Sequence, residues 1–315
     1  MSFDNAYEAL AEATDDSRWA FGTGFTEPLS AVDGALPSAV DGADLAAYCL
    51  MLGDDALIMS HRLQEWCTRA PELEDEMAIA NIALDLLGQA RPLLARAGRA
   101  DGSGRGEDHY AFFRGEDEFR NVHLAETPRG DFARLSAVLL IFSTWRLALL
   151  DRLVSSADPV LAAIAAKGVK EVTYHRDYAA RWTVRLGDGT ELSHQRMQAG
   201  LDAVWPLVAE LFVPHEIELR LAEARVGVDP ATLRAEFDGV LAQVLGAAGL
   251  RTPEGGLLQG LPQGLPQRVP EGAPAPSGPA AAPGGTGRSG VHTGSMAPLL
   301  AELQSVARAH PEATW

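Results

Sequence analysis

The sequence predicts an all-α protein, built as a helical bundle. Alanine and leucine are abundant, β-branched runs are few, and 47% of the 315 residues are hydrophobic, which favours helices around a sizeable core. Apolar residues recur at spacings of three and four along several long segments, the period of a helix with a buried face. The formal net charge of −17 argues against nucleic acid or an anionic membrane as a partner.

The first two helices are expected to follow an extended arm. Residues 1–42 are polar and interrupted by glycine and proline, whereas residues 44–65 carry apolar side chains at helical spacing. Pro71 is expected to open the second helix, since proline suits the first helical position, and the acidic residues at 72–76 complement the helix dipole. This helix carries two apolar stripes, which predicts a central place in the bundle. The stripes are Leu73, Met77, Ala80, Leu84, Leu87 and Leu94, and Ile79, Ile82, Leu86, Ala90 and Leu93.

A second pair of long helices is expected after a connection. Residues 101–129 are predicted to be a long polar connection, and residues 131–155 a third helix whose middle, LSAVLLIFSTWRLALL, is apolar enough to be buried. Asp158 and Pro159 mark the start of a fourth helix, as an N-cap followed by a proline in the first turn. Gly187 is expected to stop that helix.

The remainder of the chain predicts shorter helices and one break. Residues 192–212 are expected to form a fifth helix kinked at Pro206, and residues 229–246 a further helix. Residues 252–290 are rich in proline and glycine and cannot bury enough apolar surface to offset the entropy of ordering, which predicts a disordered linker. The expected organisation is a flexible arm at 1–42, a bundle at 43–251, a linker at 252–290 and a docked C-terminal helix at 291–315.

Several features favour a cytoplasmic protein. Cys49 and Cys67 both lie in helix-like contexts, and two such cysteines suit a reducing compartment without a disulfide framework. No apolar run reaches the roughly 20 residues needed to span a bilayer. A basic segment followed by an apolar one, the pattern of a secretory signal, is not seen at the N-terminus.

The four long helices can be compared with the ligand pattern of a di-iron bundle. Such a site needs a carboxylate from each of two helices and a Glu-x-x-His pair from each of the other two. At the corresponding i, i+3 positions the second helix carries Leu86 and Gln89, and the fourth carries Val172 and His175. The pattern therefore indicates an oxygenase-type scaffold in which most metal ligands have been replaced.

The segment GDDALIMSHRLQEWCTRAPELEDEMAIANIALDLLGQAR, residues 53–91, resembles the PaaC-type subunits of bacterial phenylacetyl-CoA epoxidase, which belong to the ferritin-like superfamily. Further matches are AIAAKGVKEVTYHRDYAARWTVRLGDGT, MQAGLDAVWPLVAELF and HTGSMAPLLAEL, so that the resemblance covers roughly 45–250 and 290–315. It implies a ferritin-like fold and pairing with a homologous catalytic subunit. The di-iron centre of that subunit epoxidises the aromatic ring of phenylacetyl-CoA with oxygen.

The same resemblance implies that this chain has lost its own metal site. The ligand positions of the catalytic subunit fall on Ala56, Leu86, Gln89, Ser143, Val172 and His175, and only His175 keeps its ligand type. No catalytic, cofactor-binding or metal-binding residue is therefore expected here. Because a buried carboxylate without a metal costs several kcal/mol, the replacement should be concerted, with Gln89, Ser143 and His175 hydrogen-bonded to one another.

The implied function is a non-catalytic structural subunit of the multicomponent phenylacetyl-CoA 1,2-epoxidase, in a complex with the di-iron subunit and other subunits. Two alternatives stay open. One is a self-sufficient ferritin-like metal oxidase, with a metal set built from Asp54, Asp55, Asp85, Glu171 and His175. The other is a helical scaffold that binds acyl-CoA, for which Lys167, Lys170 and Arg176 are the candidate phosphate contacts.

Overall fold

The structure is a computed structural model that describes residues 34–37, 40–253 and 285–313. Most of the predicted arm and most of the predicted linker lie outside these residues. The described residues form nine α-helices and no strand, which confirms the all-α bundle predicted from the sequence. The helices are α1 Gly42–Gln64, α2 Leu73–Ala100, α3 Glu107–Phe112, α4 Phe132–Leu153, α5 Pro159–Gly187, α6 Glu191–Val204, α7 Glu216–Glu223, α8 Arg234–Ala247 and α9 Met296–Ala309.

The four longest helices form two antiparallel hairpins, α1 with α2 and α4 with α5. In the first hairpin the Ser60 hydroxyl donates to the carbonyl of Ala83 at 2.7 Å. At the far end, a Cβ on Gly42 would lie 2.3 Å from the carbonyl oxygen of Ala100, so only glycine permits the observed approach of the two helices.

The two hairpins meet along α2 and α5, which are antiparallel. Gln89 in the second half of α2 bonds Glu171, whereas Asp75 in its first turn bonds Trp182, eleven residues further along α5. Since α2 and α4 then run in the same direction, the connection at 101–131 has to cross the full length of the bundle. One long crossover between two hairpins is the topology of ferritin-like folds.

The crossover is more than the polar connection predicted from the sequence. It contains α3 and two 3-10 turns, Glu116–Glu118 and His123–Glu126. Phe119 and Leu124 are fully buried against the bundle. The prediction was wrong because the apolar residues of this segment are isolated among charged ones and show no helical or strand period.

Three helix boundaries differ from those predicted. Helix α2 begins at Leu73 with Glu72 as its N-cap, so Pro71 lies before the helix and not at its first position. Helix α6 ends at Val204 and is followed by 3-10 turns, because Pro206 lacks the N–H that a continuing helix needs. Helix α7, which the sequence did not predict, begins with a reciprocal capping arrangement between His215 and Glu218.

Helix α2 is not covered on all sides, contrary to the prediction of a central helix. The stripe that contains Ile79, Ile82 and Leu86 is buried against the neighbouring helices, but Leu73 and Met77 of the other stripe are mostly exposed. The spacing of apolar residues shows that a helix face suits burial. It does not show whether the same chain or a partner covers that face.

Helix α4 is the most deeply buried of the four. Among the described helices it alone is long and apolar enough to cross a membrane by length and composition, and 94% of its most apolar window is buried inside the bundle. Burial on all sides accounts for its apolar composition, as it does for central helices of soluble folds. The sequence LSAVLLIFSTWRLALL is therefore the core of the bundle.

The C-terminal segment packs onto the body of the protein. Residues 285–290, predicted as the end of the linker, include a 3-10 turn at Gly287–Ser289 in which Arg288 is buried, so the prediction of disorder was wrong for these residues. Helix α9 then lies against α3, where the Gln304 amide donates to the carbonyls of Ala111 and Arg114, both at 3.1 Å.

Candidate functional site

All six positions that the sequence aligned with a di-iron site lie inside the bundle. They are distributed over α1, α2, α4 and α5, and each is at most 2% exposed: Ala56, Leu86, Gln89, Ser143, Val172 and His175. The four long helices therefore present these positions to a common interior. What occupies that interior decides its chemistry.

The three polar members do not bond one another, so this prediction was wrong. The Ser143 hydroxyl donates to the carbonyl of Leu139 in its own helix at 2.5 Å, a common arrangement for a buried helical serine. His175 Nε2 donates to Asp85 Oδ2 at 3.0 Å, across the α2–α5 contact. Gln89 is engaged elsewhere, by a residue that the sequence comparison did not consider.

That residue is Arg146, one helical turn beyond Ser143 on α4. Its Nε donates to Gln89 Oε1 at 2.9 Å, and both terminal nitrogens lie 3.4 Å from the carbonyl oxygen of Leu52. The Gln89 amide nitrogen in turn donates to Glu171 Oε2 at 2.9 Å. A guanidinium, an amide and a carboxylate thus form one chain through the interior, from α4 through α2 to α5.

The interior consequently holds a permanent positive charge. Arg146 is fully buried, and this burial lowers its pKa to about 10, partly opposed by the charge of Asp55. The group therefore remains charged at pH 7. The donor set does not fit a di-iron centre, because Leu86 and Val172 supply no ligand atoms and the guanidinium would repel metal cations.

The carboxylates of the alternative metal set are held by arginines instead of converging. Asp54 forms a bidentate pair with Arg114 of the crossover, and Asp55 forms another with Arg288 of the C-terminal segment. In the part of the chain that the structure describes, no group of three or more His, Cys, Asp or Glu side chains is arranged to hold a metal ion. The five residues of that set, Asp54, Asp55, Asp85, Glu171 and His175, are instead engaged in separate contacts.

Arg288 joins the C-terminal segment to three other parts of the chain. Its guanidinium bonds the Asp55 carboxylate at 2.8 and 3.1 Å and the carbonyl oxygens of Met51 and Arg120 at 3.0 and 2.8 Å, while Glu218 lies 3.8 Å away. Although burial alone would lower it, the carboxylates of Asp55 and Glu218 raise the pKa of Arg288 above its ordinary value. This arginine therefore fixes the C-terminal segment to α1, the crossover and α7 as a charged group.

A second buried pair supports the same attachment. His292 Nδ1 donates to Glu126 Oε1 at 2.7 Å, and the backbone and side chain of Thr293 donate to the other oxygen of Glu126. Burial alone would lower the pKa of His292, but the hydrogen bond and charge of Glu126 raise it above its ordinary value.

Comparison with known proteins agrees with this architecture. The family model described as phenylacetic acid catabolic protein matches residues 34–264, most of the chain. The chain belongs to this family. It is also 41% identical over 271 residues to the C subunit of 1,2-phenylacetyl-CoA epoxidase from Escherichia coli (strain K12), a match that spans 86% of this chain and 99% of that protein. The resemblance inferred from the sequence motifs is thereby confirmed.

The basic residues considered for coenzyme A lie on α5. Lys167 and Lys170 are exposed, and Arg176 is half-buried. Lys167 lies 3.3 Å from Glu171, at the outer end of the chain of polar groups that starts at Arg146. The ion pair with Glu171 therefore makes Lys167 the last member of that chain of polar groups.

Four arginines are buried, which the sequence did not predict. They are Arg96, Arg114, Arg146 and Arg288, each at most 5% exposed. Arg96 was expected only to complement the C-terminal end of the second helix. Arg146 had a detectable signal, as a lone charge within an apolar run. The others lack a local signal, because their carboxylate partners are distant in the sequence. Arg96, for example, bonds Asp158 at 2.5 Å, across 62 residues.

Proposed function

We propose that this chain is a non-catalytic structural subunit of a cytoplasmic phenylacetyl-CoA 1,2-epoxidase, paired with a homologous di-iron catalytic subunit in phenylacetate catabolism. Two findings support this function. The chain is 41% identical to a protein named as the C subunit of that enzyme. Its own four-helix interior also lacks the donor set that a di-iron centre requires.

The observation that carries the proposal is the position of Arg146. A ferritin-like bundle places its metal ions among four inward-facing helices. Here the same interior is crossed by the chain from Arg146 through Gln89 to Glu171, and Leu86 and Val172 are buried apolar side chains without ligand atoms. The chemistry of the complex would then belong to another subunit, and this chain would contribute through its surface.

A structural role fits the distribution of apolar surface. Leu73, Met77 and Leu84 of α2 are exposed, although they occupy one face of a helix in the body of the bundle. We expect the pair of subunits to bury more than about 2,000 Å² in total, as obligate interfaces do. Such an interface would stabilise the catalytic subunit and shape the approach to its substrate pocket.

Metal analysis tests the first half of the proposal. The purified chain is loaded anaerobically with ferrous ion, desalted and analysed, with the di-iron subunit treated identically as the positive control. We expect no stoichiometric iron in this chain, because Arg146 occupies the interior as a cation. Two irons per chain with a carboxylate-bridged spectrum would refute the proposal and favour a self-sufficient metal oxidase.

Reconstitution tests the second half. The catalytic subunit and the reductase are assayed for ring epoxidation of phenylacetyl-CoA with and without this chain. We expect poor solubility or activity without it and restored turnover with it, at unchanged iron content. Full turnover without this chain would contradict the proposal. Tight binding of phenylacetyl-CoA to this chain alone would favour the acyl-CoA scaffold instead.

A further inference from the structure

One face of α2 is apolar and uncovered. Leu73, Met77 and Leu84 are 67%, 60% and 59% exposed, and Ala80 and Leu87 on the same face are partly exposed. We call these five residues the α2 stripe. Its members follow one another at intervals of four, three, four and three residues, the pattern of a helix that packs along another helix. At 1.5 Å per residue the stripe is about 21 Å long.

Acidic residues flank the stripe at its N-terminal end. Glu74 follows Leu73, and Glu76 precedes Met77, so the two carboxylates lie on either side of the seam; Glu72 is the N-cap. In paired helices the charges at these flanking positions select the partner and its orientation. The first basic residue of α2 is Arg91, beyond the last member of the stripe.

We propose that the α2 stripe is the docking surface for a helix of a partner protein that carries its own apolar stripe and Lys or Arg side chains facing Glu72, Glu74 and Glu76. The apolar residues fit the partner's stripe, and the carboxylates require opposite charge. This inference rests on the proposed function in one respect, since it takes the partner to be the di-iron subunit.

A second copy of this chain fits the surface less well. In an antiparallel pair of α2 helices, Arg91 would have to meet the acidic end of the other copy. Its side chain already lies 2.6 Å from Glu107 of α3. Each copy also carries a formal net charge of −17, so that two copies repel one another.

The charges further fix the direction of the partner helix. Basic residues are most favourable in the last turn of a helix, where they complement its dipole. A partner helix whose last turn meets the acidic first turn of α2 runs antiparallel to it. The surface therefore selects an antiparallel helix that ends near Glu72.

A cleft beside the acidic end suits a basic side chain from the same partner. It has a volume of about 360 Å³ and is lined by Glu72, Glu74, Asp75, Tyr174, Asp177, Tyr178, Arg181, Trp182 and Arg185. Carboxylates and aromatic rings both attract ammonium and guanidinium groups. The two arginines are already engaged, Arg181 by Asp177 at 2.8 Å and Arg185 over the ring of Trp182.

The test measures the dissociation constant of the complex between this full-length chain and the di-iron subunit. The double variant Met77→Asp/Leu84→Asp should bind at least about 100-fold more weakly, as expected for the loss of central apolar contacts. Because both side chains are exposed, its melting temperature should stay unchanged. The control Leu192→Asp/Val306→Asp, at residues 58% and 55% exposed on α6 and α9, should change binding less than about threefold.

A charge reversal tests the flanking residues. The variant Glu74→Lys/Glu76→Lys should weaken binding by about tenfold and reduce its dependence on salt, because steering by the carboxylates is reversed. Glu191→Lys, in the first turn of α6, is the matched control and should have little effect.

Cross-linking tests the direction of the partner helix. Photoreactive residues placed at positions 77 and 84 should both cross-link to the same partner helix. Position 77 should cross-link to a residue nearer the C-terminus of that helix than position 84 does.

The outcomes separate this inference from the proposed function. A complex that forms but is insensitive to Met77→Asp/Leu84→Asp would overturn the docking surface and leave the subunit role intact. Cross-links in the reverse order would overturn the antiparallel arrangement. A dimer of this chain alone that dissociates on Met77→Asp would assign the surface to a second copy. Absence of any complex with the unmodified chain would overturn both proposals.

Discussion

The strongest test of the interior is the replacement of Arg146 by methionine and by alanine. The structure gives this guanidinium one close hydrogen bond, to Gln89, and two long contacts to the carbonyl of Leu52. No carboxylate among the described residues forms a salt bridge with it. A buried charge with so few partners should contribute little to stability, although its side chain fills space.

The expected magnitudes follow from three terms. Burial lowers the pKa of Arg146 to about 10, which corresponds to roughly 3 kcal/mol against the charged form. Removing the charge relieves this cost but leaves the Gln89 oxygen without its donor, at about 1–3 kcal/mol. Methionine keeps most of the volume, so Arg146→Met should change the free energy of unfolding by less than about 2 kcal/mol. Alanine adds the cost of a cavity, and Arg146→Ala should destabilise by about 2–4 kcal/mol.

Urea unfolding of the isolated chain at pH 7 measures both values, provided that the slope of the transition is unchanged. Arg152→Met is the matched control on the same helix, because Arg152 is partly exposed and pairs with Glu236 at the surface. Its effect should be below about 1 kcal/mol. A loss of more than about 4 kcal/mol in Arg146→Met would show that the guanidinium is held far more favourably than its contacts indicate.

Two further predictions concern the other buried groups. Arg288→Met should destabilise by about 3–5 kcal/mol at pH 7.5 and by less at pH 5.5. Burial already raises the pKa of Asp55 and of Glu218, and the guanidinium of Arg288 opposes this rise. Without the guanidinium both pKa values rise further, and stability is lost as the pH rises from the unfolded toward the folded values. An equal deficit at both pH values in urea unfolding would contradict this. His175→Ala should lower stability by about 1–3 kcal/mol, because Asp85 loses its partner, without changing the activity per folded complex. A hundredfold loss of turnover at unchanged melting would indicate a catalytic role.

The sequence predicted those parts of the fold that depend on neighbouring residues. Asp131 and Asp158 were both expected at helix starts, and their side chains accept from the backbone N–H three residues later, each at 2.9 Å. These contacts are encoded within one turn. Asp158 also shows the limit of such reasoning, since its other oxygen binds Arg96 of α2.

Long-range polar contacts could not be predicted in the same way. The partners of Asp54 and Asp55 are Arg114 and Arg288, which lie 60 and 233 residues further along the chain. Nothing near a carboxylate in the sequence distinguishes a metal ligand from one member of an ion pair. Composition also misassigned Arg288. Its neighbours in the sequence are rich in proline and glycine, which predicted a linker, whereas the Arg288 side chain is buried.

The buried arginines explain how carboxylates are stabilised inside this bundle. Leu86 and Val172 are buried apolar side chains, whereas Glu171 and Asp55 are carboxylates in or near the interior. Each is compensated by a positive or amide group from another element, Glu171 through Gln89 and Arg146 and Asp55 through Arg288. Removal of one partner leaves the other charge buried and unpaired, which is strongly destabilising. Replacement of both partners by apolar residues often leaves stability unchanged. Asp55 and Arg288 should therefore be replaceable together but not singly, and a double-mutant cycle on the two residues should show a coupling of about 2–3 kcal/mol. A coupling near zero would mean that the ion pair between Asp55 and Arg288 does not help to hold the C-terminal segment.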